Sequence, residues 1–440
     1  MAFEIENGVL KKYIPEDGET AVIIPDSVIS IESYAFNKCS ELEEVTIPDS
    51  VTSIGAYAFS NTKWLEEYPN DWVIINTILI KYKGEDEKVT IPNTVKSIGE
   101  SAFSHCESLK EVIISDSVMS IGKNVFADCL NLEKIKVSEE NTIYSDIDGV
   151  LFNKEKTELL CYSQGKKENS YKIPDRVTGI GEQAFSWCKK LKGVIIPDSV
   201  ISIGKGAFYE CSSLNKVIIP DSVTSIGNSA FEECSSLNEL KMPNYATNIG
   251  DFTFYNCSDL GKVTISDSII GIGEGAFEHC SSLTSIIIPA SVMSIGDWAF
   301  YECSSLEKVT IKSVTFNVDY KKFDEYISEA YKMLETKDFS AKIYTPLKNA
   351  MIIGHFIKTG DECAEAFIKK GCLRIFKWLI DEEDVPTIYA LINTHKFVTA
   401  KNIDKLFDYA NQKNNAELKL IFMNYKHEHI GMTKKKELKI

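Results

Sequence analysis

Cysteine and histidine are the residue types in this sequence that could bind a metal ion. Nine of the twelve cysteines recur at a regular spacing: Cys39, Cys106, Cys129, Cys188, Cys211, Cys234, Cys257, Cys280 and Cys303. Zinc sites often pair cysteines as Cys-x-x-Cys, and the sequence contains no such pair. His427 and His429 are two residues apart, a spacing that directs them to different sides of a helix. We therefore predict no metal site and interpret the regular cysteines as small buried apolar residues.

Two glycine-rich segments could bind a dinucleotide cofactor. GIGEQA (179–184) matches the Gly-x-Gly-x-x-Ala pattern, and GIGEGAF (271–277) nearly matches it. That pattern needs a long helix after it and an acidic residue on a second strand. Both segments lack this context and occupy positions that recur along the whole chain. We therefore predict no cofactor.

Asp146 and Asp148 of the segment SDIDGVLF could act in catalysis. The segment resembles the first motif of haloacid dehalogenase-type phosphatases, and the resemblance implies that Asp146 is a nucleophile and Asp148 a general acid beside Mg²⁺. GDECAE (360–365) resembles the acidic metal-binding motif of that family. However, two similar segments have Ile5 and Ile74 in the Asp146 position. We predict no catalytic residue and keep a phosphatase as the alternative.

A repeat of about 23 residues accounts for most of these motifs. It contains a phenylalanine at positions 36, 59, 103, 126, 185, 208, 231, 254, 277 and 300. Val217 and Ile219 alternate, which predicts a strand with both side chains inward, and Pro220 ends it. Glycine follows the next isoleucine in nine of ten units, with Glu32 as the exception. This glycine indicates either a positive φ or a backbone crossing too tight for a Cβ.

The second half of each unit predicts a short helical turn that buries one face. In one unit this face consists of Ile226, Ala230, Phe231 and Cys234. A single unit cannot bury that face alone, so neighbouring units must stack into a solenoid. We predict twelve short parallel strands, at Val22, Val45, Val89, Val112, Ile135, Lys172, Val194, Val217, Leu240, Val263, Ile286 and Val309.

The segment IPDSVTSIGNSAF with CSSL resembles the BspA-like, or treponemal, class of leucine-rich repeats over about residues 20–312. The resemblance implies a curved solenoid with a binding role, and many members are exported and act in adhesion. Three segments each combine a turn, an apolar strand and a tyrosine. They predict a hairpin that caps the N-terminus (1–20) and hairpin insertions near 63–86 and 139–168.

After residue 312 the repeat stops and the apolar period becomes helical. We predict a solenoid domain over 1–312 and an α-helical domain over 313–440. Two segments of the latter, AEAFIKKGCLRIFKWLIDEED and NAELKLIFMNYK, resemble degenerate ankyrin units. The predicted helices are 319–336, 346–358, 362–370, 372–382, 385–394, 401–412 and 415–426.

Charge and composition limit the classes of partner. The net charge is −16, with 27 basic and 46 acidic residues before position 313 and 21 basic and 18 acidic residues from there on. A net charge of −19 on the longer part disfavours nucleic acid and anionic membranes as partners. The chain shows no signal peptide pattern and no apolar run of about 18–20 residues. We expect a cytoplasmic protein with reduced thiols and no membrane insertion.

Outward-facing positions of the repeat are the candidate partner-binding residues. One row lies between the two inward strand residues, and a second, aromatic row precedes the cysteines; together they comprise Ile195, Ile218, Lys241, Thr264, Ile287, Trp187, Tyr209, Tyr255 and Tyr301. We predict a non-catalytic protein–protein interaction scaffold. The acidic charge favours a basic partner, or the basic segment 434–439 of another copy. A cell-surface adhesin-like protein, exported by a route that the sequence does not show, is the other alternative.

Overall fold

The computed structural model describes residues 2–430, so the basic segment 434–439 lies outside the described part of the chain. The chain divides into two compact units, Met1–Ser235 and Ser236–Ile440. Within the described residues, no helix is both long and apolar enough to cross a membrane.

The first unit consists of stacked turns that each contribute two short strands, and each strand pairs in parallel with a strand of a neighbouring turn. The first row is Ala21–Ile23, Glu44–Thr46, Lys88–Thr90, Glu111–Ile114, Lys134–Val137, Ser170–Lys172, Gly193–Ile195 and Lys216–Ile218. The second row is Ser30–Ile31, Ser53–Ile54, Ser97–Ile98, Ser120–Ile121, Gly179–Ile180, Ser202–Ile203 and Ser225–Ile226.

Three antiparallel segments take the place of second-row strands in this unit. They are Ala2–Glu6 with Val9–Ile14, Trp72–Ile75 with Ile78–Tyr82, and Tyr144–Ile147 with Val150–Asn153 and Glu158–Cys161. In the middle one, Leu79 pairs with Ile98 in register, and Tyr82 lies 5.4 Å from the Phe103 ring centroid. The hairpins therefore belong to the stack, because leucine and tyrosine fill its isoleucine and phenylalanine positions. The short helix α1 (Lys63–Glu66) precedes the second hairpin.

The twelve predicted strands are all present, eight in the first unit and four in the second. The solenoid predicted from the repeat is therefore confirmed. Alternation works as expected: Val217 and Ile219 are buried and Ile218 between them is exposed. The two-residue strands of the second row were not predicted.

The predicted helical turn takes a different form. Phe231 lies between two residues with left-handed backbone, Ser229 (φ 57°) and Glu233 (φ 61°), and equivalent positions are left-handed in the other turns. The backbone N–H of Cys234 donates to the Phe231 carbonyl at 3.2 Å, a bond that spans three residues. A left-handed residue every fourth position interrupts the four-residue hydrogen bonding of a helix. Consecutive β-turns therefore replace the helix and still bury Phe231.

The repeated glycine is needed because the backbones of successive turns come very close at this position. A Cβ on Gly227 would lie 2.5 Å from the backbone nitrogen of Lys205 in the preceding turn, a distance that no side chain tolerates. After a hairpin the crossing is less tight: a Cβ on Gly99 would lie 2.9 Å from the Leu79 carbonyl oxygen. Glu32 also follows a hairpin and forms an ion pair with Lys11 there, which accounts for the one unit without glycine.

The second unit begins with further turns of the same kind. Its strands are Glu239–Lys241, Asn248–Ile249, Lys262–Thr264, Gly271–Ile272, Ser285–Ile288, Ser294–Ile295, Lys308–Ile311 and Val314–Asn317. Its helices are α2 (Tyr320–Thr336), α3 (Thr345–Thr359), α4 (Glu362–Asp381), α5 (Val385–Asn393), α6 (Ile403–Gln412) and α7 (Ala416–Tyr425), followed by a π-helical turn, Lys426–Ile430.

The predictions of 362–370 and 372–382 as two helices were wrong, because α4 runs through Gly371 without a break. A glycine inside a helix costs only about 1 kcal/mol. Ile368, Cys372 and Ile375 are buried on both sides of it, and their packing outweighs that cost. The prediction of a domain boundary at 312/313 stays a prediction.

The last strand of the solenoid has no open edge. Val314–Asn317 pairs antiparallel with Lys308–Ile311. On its far side, the backbone N–H of Thr315 donates to Asp384 at 2.9 Å, and that of Asn317 donates to Glu382 at 2.7 Å. The edge of the strand Lys308–Ile311 is therefore covered. An added strand pairs with it, and carboxylates of the helical region satisfy the outer N–H groups.

Candidate functional site

The regular cysteines form hydrogen bonds between turns. The Cys211 Sγ donates to the Phe185 carbonyl at 3.0 Å, and the Cys234 Sγ donates to the Phe208 carbonyl at 3.1 Å. The interpretation as buried apolar residues missed this role, because a thiol is a weak donor that sequence alone does not pair. Burial raises the pKa of the Cys211 thiol to about 12, because the thiolate would lose its hydration. Its burial and raised pKa make the Cys211 thiol a poor nucleophile in the folded protein.

Alkylation by iodoacetamide should therefore separate the twelve cysteines into classes. We expect Cys363 to react first in the folded protein, because its side chain is exposed. Cys211 should react only after unfolding, because it is buried and its thiol pKa is raised. Mass spectrometry of peptides from folded and denatured samples measures both. Disulfide-linked peptides in freshly prepared protein, or fast modification of Cys211 in the folded state, would contradict this expectation.

The Asp146–Asp148 motif has a structural role in the hairpin that contains it. The Asp146 Oδ1 accepts a hydrogen bond from the backbone N–H of Val137 at 2.9 Å. Asp148 (φ 52°) and Gly149 (φ 76°) are both left-handed, as the two central residues of a type I′ turn must be. Asp361 of the second acidic segment caps α4, accepting from the backbone N–H groups of Cys363 and Ala364. These bonds give Asp146 and Asp361 structural roles.

The glycine-rich segment 179–184 does not have the structure of a dinucleotide-binding motif. Gly179 lies in a second-row strand, and a Cβ on Gly181 would lie 2.9 Å from the Leu159 carbonyl oxygen of the preceding turn. Turns follow these glycines where the cofactor pattern has a helix. Among residues 2–430, no group of three or more His, Cys, Asp or Glu side chains could hold a metal ion.

The outward strand row of the first unit exposes isoleucine. Ile195 and Ile218 are neighbours in the parallel register, and their side chains are 59% and 67% exposed. Ile23, at the same position of an earlier turn, is 70% exposed. The core does not need these side chains, because Val194 and Val217 already fill the inward positions. Within this row Ile195 and Ile218 form a short apolar strip, which the exposed Lys172 borders in register.

The aromatic residues of the first unit are less exposed than the prediction assumed. Trp187 and Tyr209 are half-buried and pack edge to face, with ring centroids 5.7 Å apart. Trp187 has the left-handed backbone of the position before Cys188, whereas Tyr209 is one position earlier in its own turn. The Lys189 Nζ lies 4.5 Å from the centroid of the Trp187 ring. Both rings are therefore only partly exposed.

The remaining candidates lie in the second unit. Lys241 and Thr264 are exposed and adjacent in register, and Ile287 is 64% exposed. Tyr255 is half-buried against His279, with ring centroids 5.6 Å apart. The ring centroids of Tyr301 and His279 are 6.0 Å apart. Partner binding at these candidates, and at those of the first unit, stays a prediction.

A cleft of about 490 Å³ lies between the turn that contains Tyr301 and helix α2. Trp298, which is 55% exposed, and Tyr320 also line it. Its charged residues are mainly carboxylates: Asp297, Glu302, Asp324 and Glu325, against Lys321. Sequence reasoning missed Trp298, because it occupies a left-handed position that holds different residues in other turns. Aromatic faces together with carboxylates favour a cationic group.

The stacked turns, the two strand rows and the repeated phenylalanines define a leucine-rich repeat solenoid. The family model for the BspA type leucine rich repeat region matches the chain in six copies, over residues 18–70, 74–157, 155–281 and 247–346. These matches cover more than half of the chain. The protein therefore belongs to the BspA-type leucine-rich repeat family, which confirms the resemblance seen in the sequence.

Several solved bacterial structures are similar. A leucine-rich repeat protein from Eubacterium ventriosum is 27% identical, with a TM-score of 0.48 over 69% of this chain and 88% of that one. A leucine rich cell surface protein from Faecalibacterium prausnitzii is 28% identical, with a TM-score of 0.40 over 66% and 78%. A leucine-rich repeat protein from Bacteroides ovatus is 32% identical, with a TM-score of 0.39 over 66% and 72%. No curated protein matches the chain.

Proposed function

We propose that this protein is a non-catalytic scaffold that binds a partner protein through the exposed strand row of its first unit. The observation that carries the proposal is the pair Ile195 and Ile218, which are adjacent in register and both more than half exposed. Side chains at this spacing, about 4.8 Å apart across strands, form an apolar strip that is two residues long. Such a strip suits an extended segment or a helix of another protein.

An acidic cleft in the second unit supports a partner with a positive charge. The cleft beside Tyr301 combines three aromatic side chains with four carboxylates and one lysine. We propose that a basic segment of the partner binds there, since cations bind aromatic faces and carboxylates. This part of the interaction should weaken as the salt concentration rises, because exposed charges are screened.

Cytoplasmic location is part of the same proposal. The bonds from Cys211 and Cys234 to carbonyl groups of the preceding turns need protonated, reduced thiols, and reduced thiols persist in the cytosol. A surface adhesin-like role is the alternative. Cell fractionation with an antibody against the native protein distinguishes them, because an adhesin would be recovered outside the cell.

A double substitution tests the strand row. Ile195→Asp with Ile218→Asp should abolish recovery of the partner in a pull-down from native lysate. With the identified partner, calorimetry should show an affinity loss of at least about thirtyfold, as expected when an interface loses about 2 kcal/mol or more. The substituted side chains point away from the core, so the melting temperature should change little.

The matched control is Ile29→Asp with Ile201→Asp. Those isoleucines are 54% and 52% exposed and lie outside the first-row strands. The control should bind the partner normally. Unchanged affinity of the Ile195/Ile218 variant, with the fold intact by circular dichroism, would reject the strand row as the binding surface.

A further inference from the structure

A cavity of about 640 Å³ in the helical region is lined by four basic side chains from four places in the chain. Lys322 is on α2, Lys342 is on the loop before α3, Lys348 is on α3 and Arg374 is on α4. None of the four forms an ion pair with another described residue. One carboxylate, Glu325, shares the lining. The cavity is therefore positively charged, in a chain whose net charge is −16.

The N-terminus of helix α3 adds to this positive potential. The helix has fifteen residues and begins at Thr345, and its cap residue Tyr344 provides no side-chain hydrogen bond to the first turn. Tyr344 and Thr345 both line the cavity. The first N–H groups of a helix lack partners within it, and the helix dipole makes that end attractive to anions. Pro346 has no N–H, so Thr345 and Leu347 supply the first donors of this helix.

A buried amide points to a ligand independently of the charges. Asn349, one turn into α3, also lines the cavity, and its side chain is only 2% exposed. Its Oδ1 has no hydrogen-bond partner among the described residues. A buried polar group without a partner destabilises a protein. A ligand group that donates a hydrogen bond to this oxygen, such as a hydroxyl, would remove this cost.

Lys348 is held in place at the wall of the cavity. Its Nζ donates to the Ala341 carbonyl at 2.8 Å and lies 5.5 Å from the centroid of the Phe367 ring. Burial lowers its pKa, nearby Asp338 raises it, and nearby Arg374 lowers it further. An anion close to Lys348 and Arg374 would offset the repulsion between the two cations.

We propose that this cavity binds a small phosphorylated molecule, with its phosphate between the N-terminus of α3, Lys348 and Arg374. The volume is in the range of small-molecule sites, about 300–1,000 Å³. Tyr326, Tyr344 and Phe367 supply apolar walls for the organic part of the ligand. The site shares no residue with the strand row and goes beyond the proposed scaffold function, so either can fail without the other.

Isothermal titration calorimetry of the full chain with inorganic pyrophosphate tests the proposal. We expect one site per chain, and affinity that falls as the salt concentration rises. Lys342→Gln with Arg374→Gln should weaken binding at least tenfold. The charge-matched control, Lys332→Gln with Lys405→Gln, changes two exposed lysines outside the cavity and should change the affinity less than twofold.

Asn349→Leu separates a binding role from a structural one. It keeps the shape of the side chain and its charge, and it removes the unpartnered amide. We expect an unchanged or higher melting temperature and at least threefold weaker binding of glycerol 3-phosphate, whose hydroxyl groups can donate to the Asn349 oxygen. Full affinity in this variant would overturn the role of Asn349, and no binding of pyrophosphate at millimolar concentration would overturn the site. Equal affinity for citrate, or binding only of an oligonucleotide, would overturn the assignment to a small phosphorylated ligand.

Discussion

Replacing Phe208 with Ala should lower the free energy of unfolding of the first unit by about 3–5 kcal/mol, the usual cost of a large core truncation. The ring is fully buried. It stacks on Phe185 with centroids 4.9 Å apart and on Phe231 with centroids 5.0 Å apart. Alanine would leave a cavity between two turns whose backbones are held by parallel strands, so the turns cannot collapse to fill it.

Hydrogen exchange shows where the stability is lost. Each turn contacts only its neighbours, so amides near Phe185 and Phe231 should lose protection while those near Phe36 keep it. Tyr245→Ala is the matched control, because that ring is 68% exposed and its removal should cost less than about 1 kcal/mol. Equal loss of protection in all turns would be incompatible with a solenoid of separately stacked units.

Replacing Asp384 with Ala should destabilise the second unit by about 2–4 kcal/mol. The carboxylate is 4% exposed. It accepts one hydrogen bond from the Thr315 N–H on the outer edge of the last strand and another, at 3.1 Å, from the Thr387 N–H in the first turn of α5. Loss of a helix cap costs about 1 kcal/mol, and a buried N–H without a partner costs a further 1–3 kcal/mol.

Chemical denaturation and the exchange rate of the Thr315 amide measure this effect. Asp384→Asn keeps an oxygen acceptor and should lose less stability than Asp384→Ala. Asp408→Ala, at an exposed position of α6, is the control for removal of a carboxylate. If Asp384→Ala were no less stable than this control, the two hydrogen bonds would not hold the edge.

The first-row strands could be predicted because their signal is repeated and simple. Val217 and Ile219 flank Ile218 in a pattern that recurs in almost every unit, and each repetition strengthens the assignment. A two-residue strand such as Ser225–Ile226 has no periodicity, so only its pairing with neighbouring turns identifies it. The left-handed residues could not be predicted either, because the position of Trp298 holds glycine in only two of the other turns, at Gly206 and Gly275.

The candidate sites could be predicted only where the repeat itself places the residues. Ile195 and Ile218 are 23 positions apart in a regular stack, so their adjacency follows from the repeat. No repeat or other sequence pattern places the residues of the basic cavity. Lys322 and Arg374 are on different helices, and only the packing of α2, α3 and α4 brings them to one wall. Charge patterns within single helices gave no sign of it.

The parallel register between successive turns has a consequence for how such a chain evolves. Ile195 pairs with Ile218, and Phe185, Phe208 and Phe231 repeat one ring spacing. Duplication of a 23-residue segment of the gene would therefore add a turn that makes the same contacts with both new neighbours. Deletion of one would leave the remaining turns matched. The length of the strand row can thus change by one turn at a time without new mutations in the core. Turns next to the hairpins pair with hairpin strands, so their duplication or deletion should be tolerated less well.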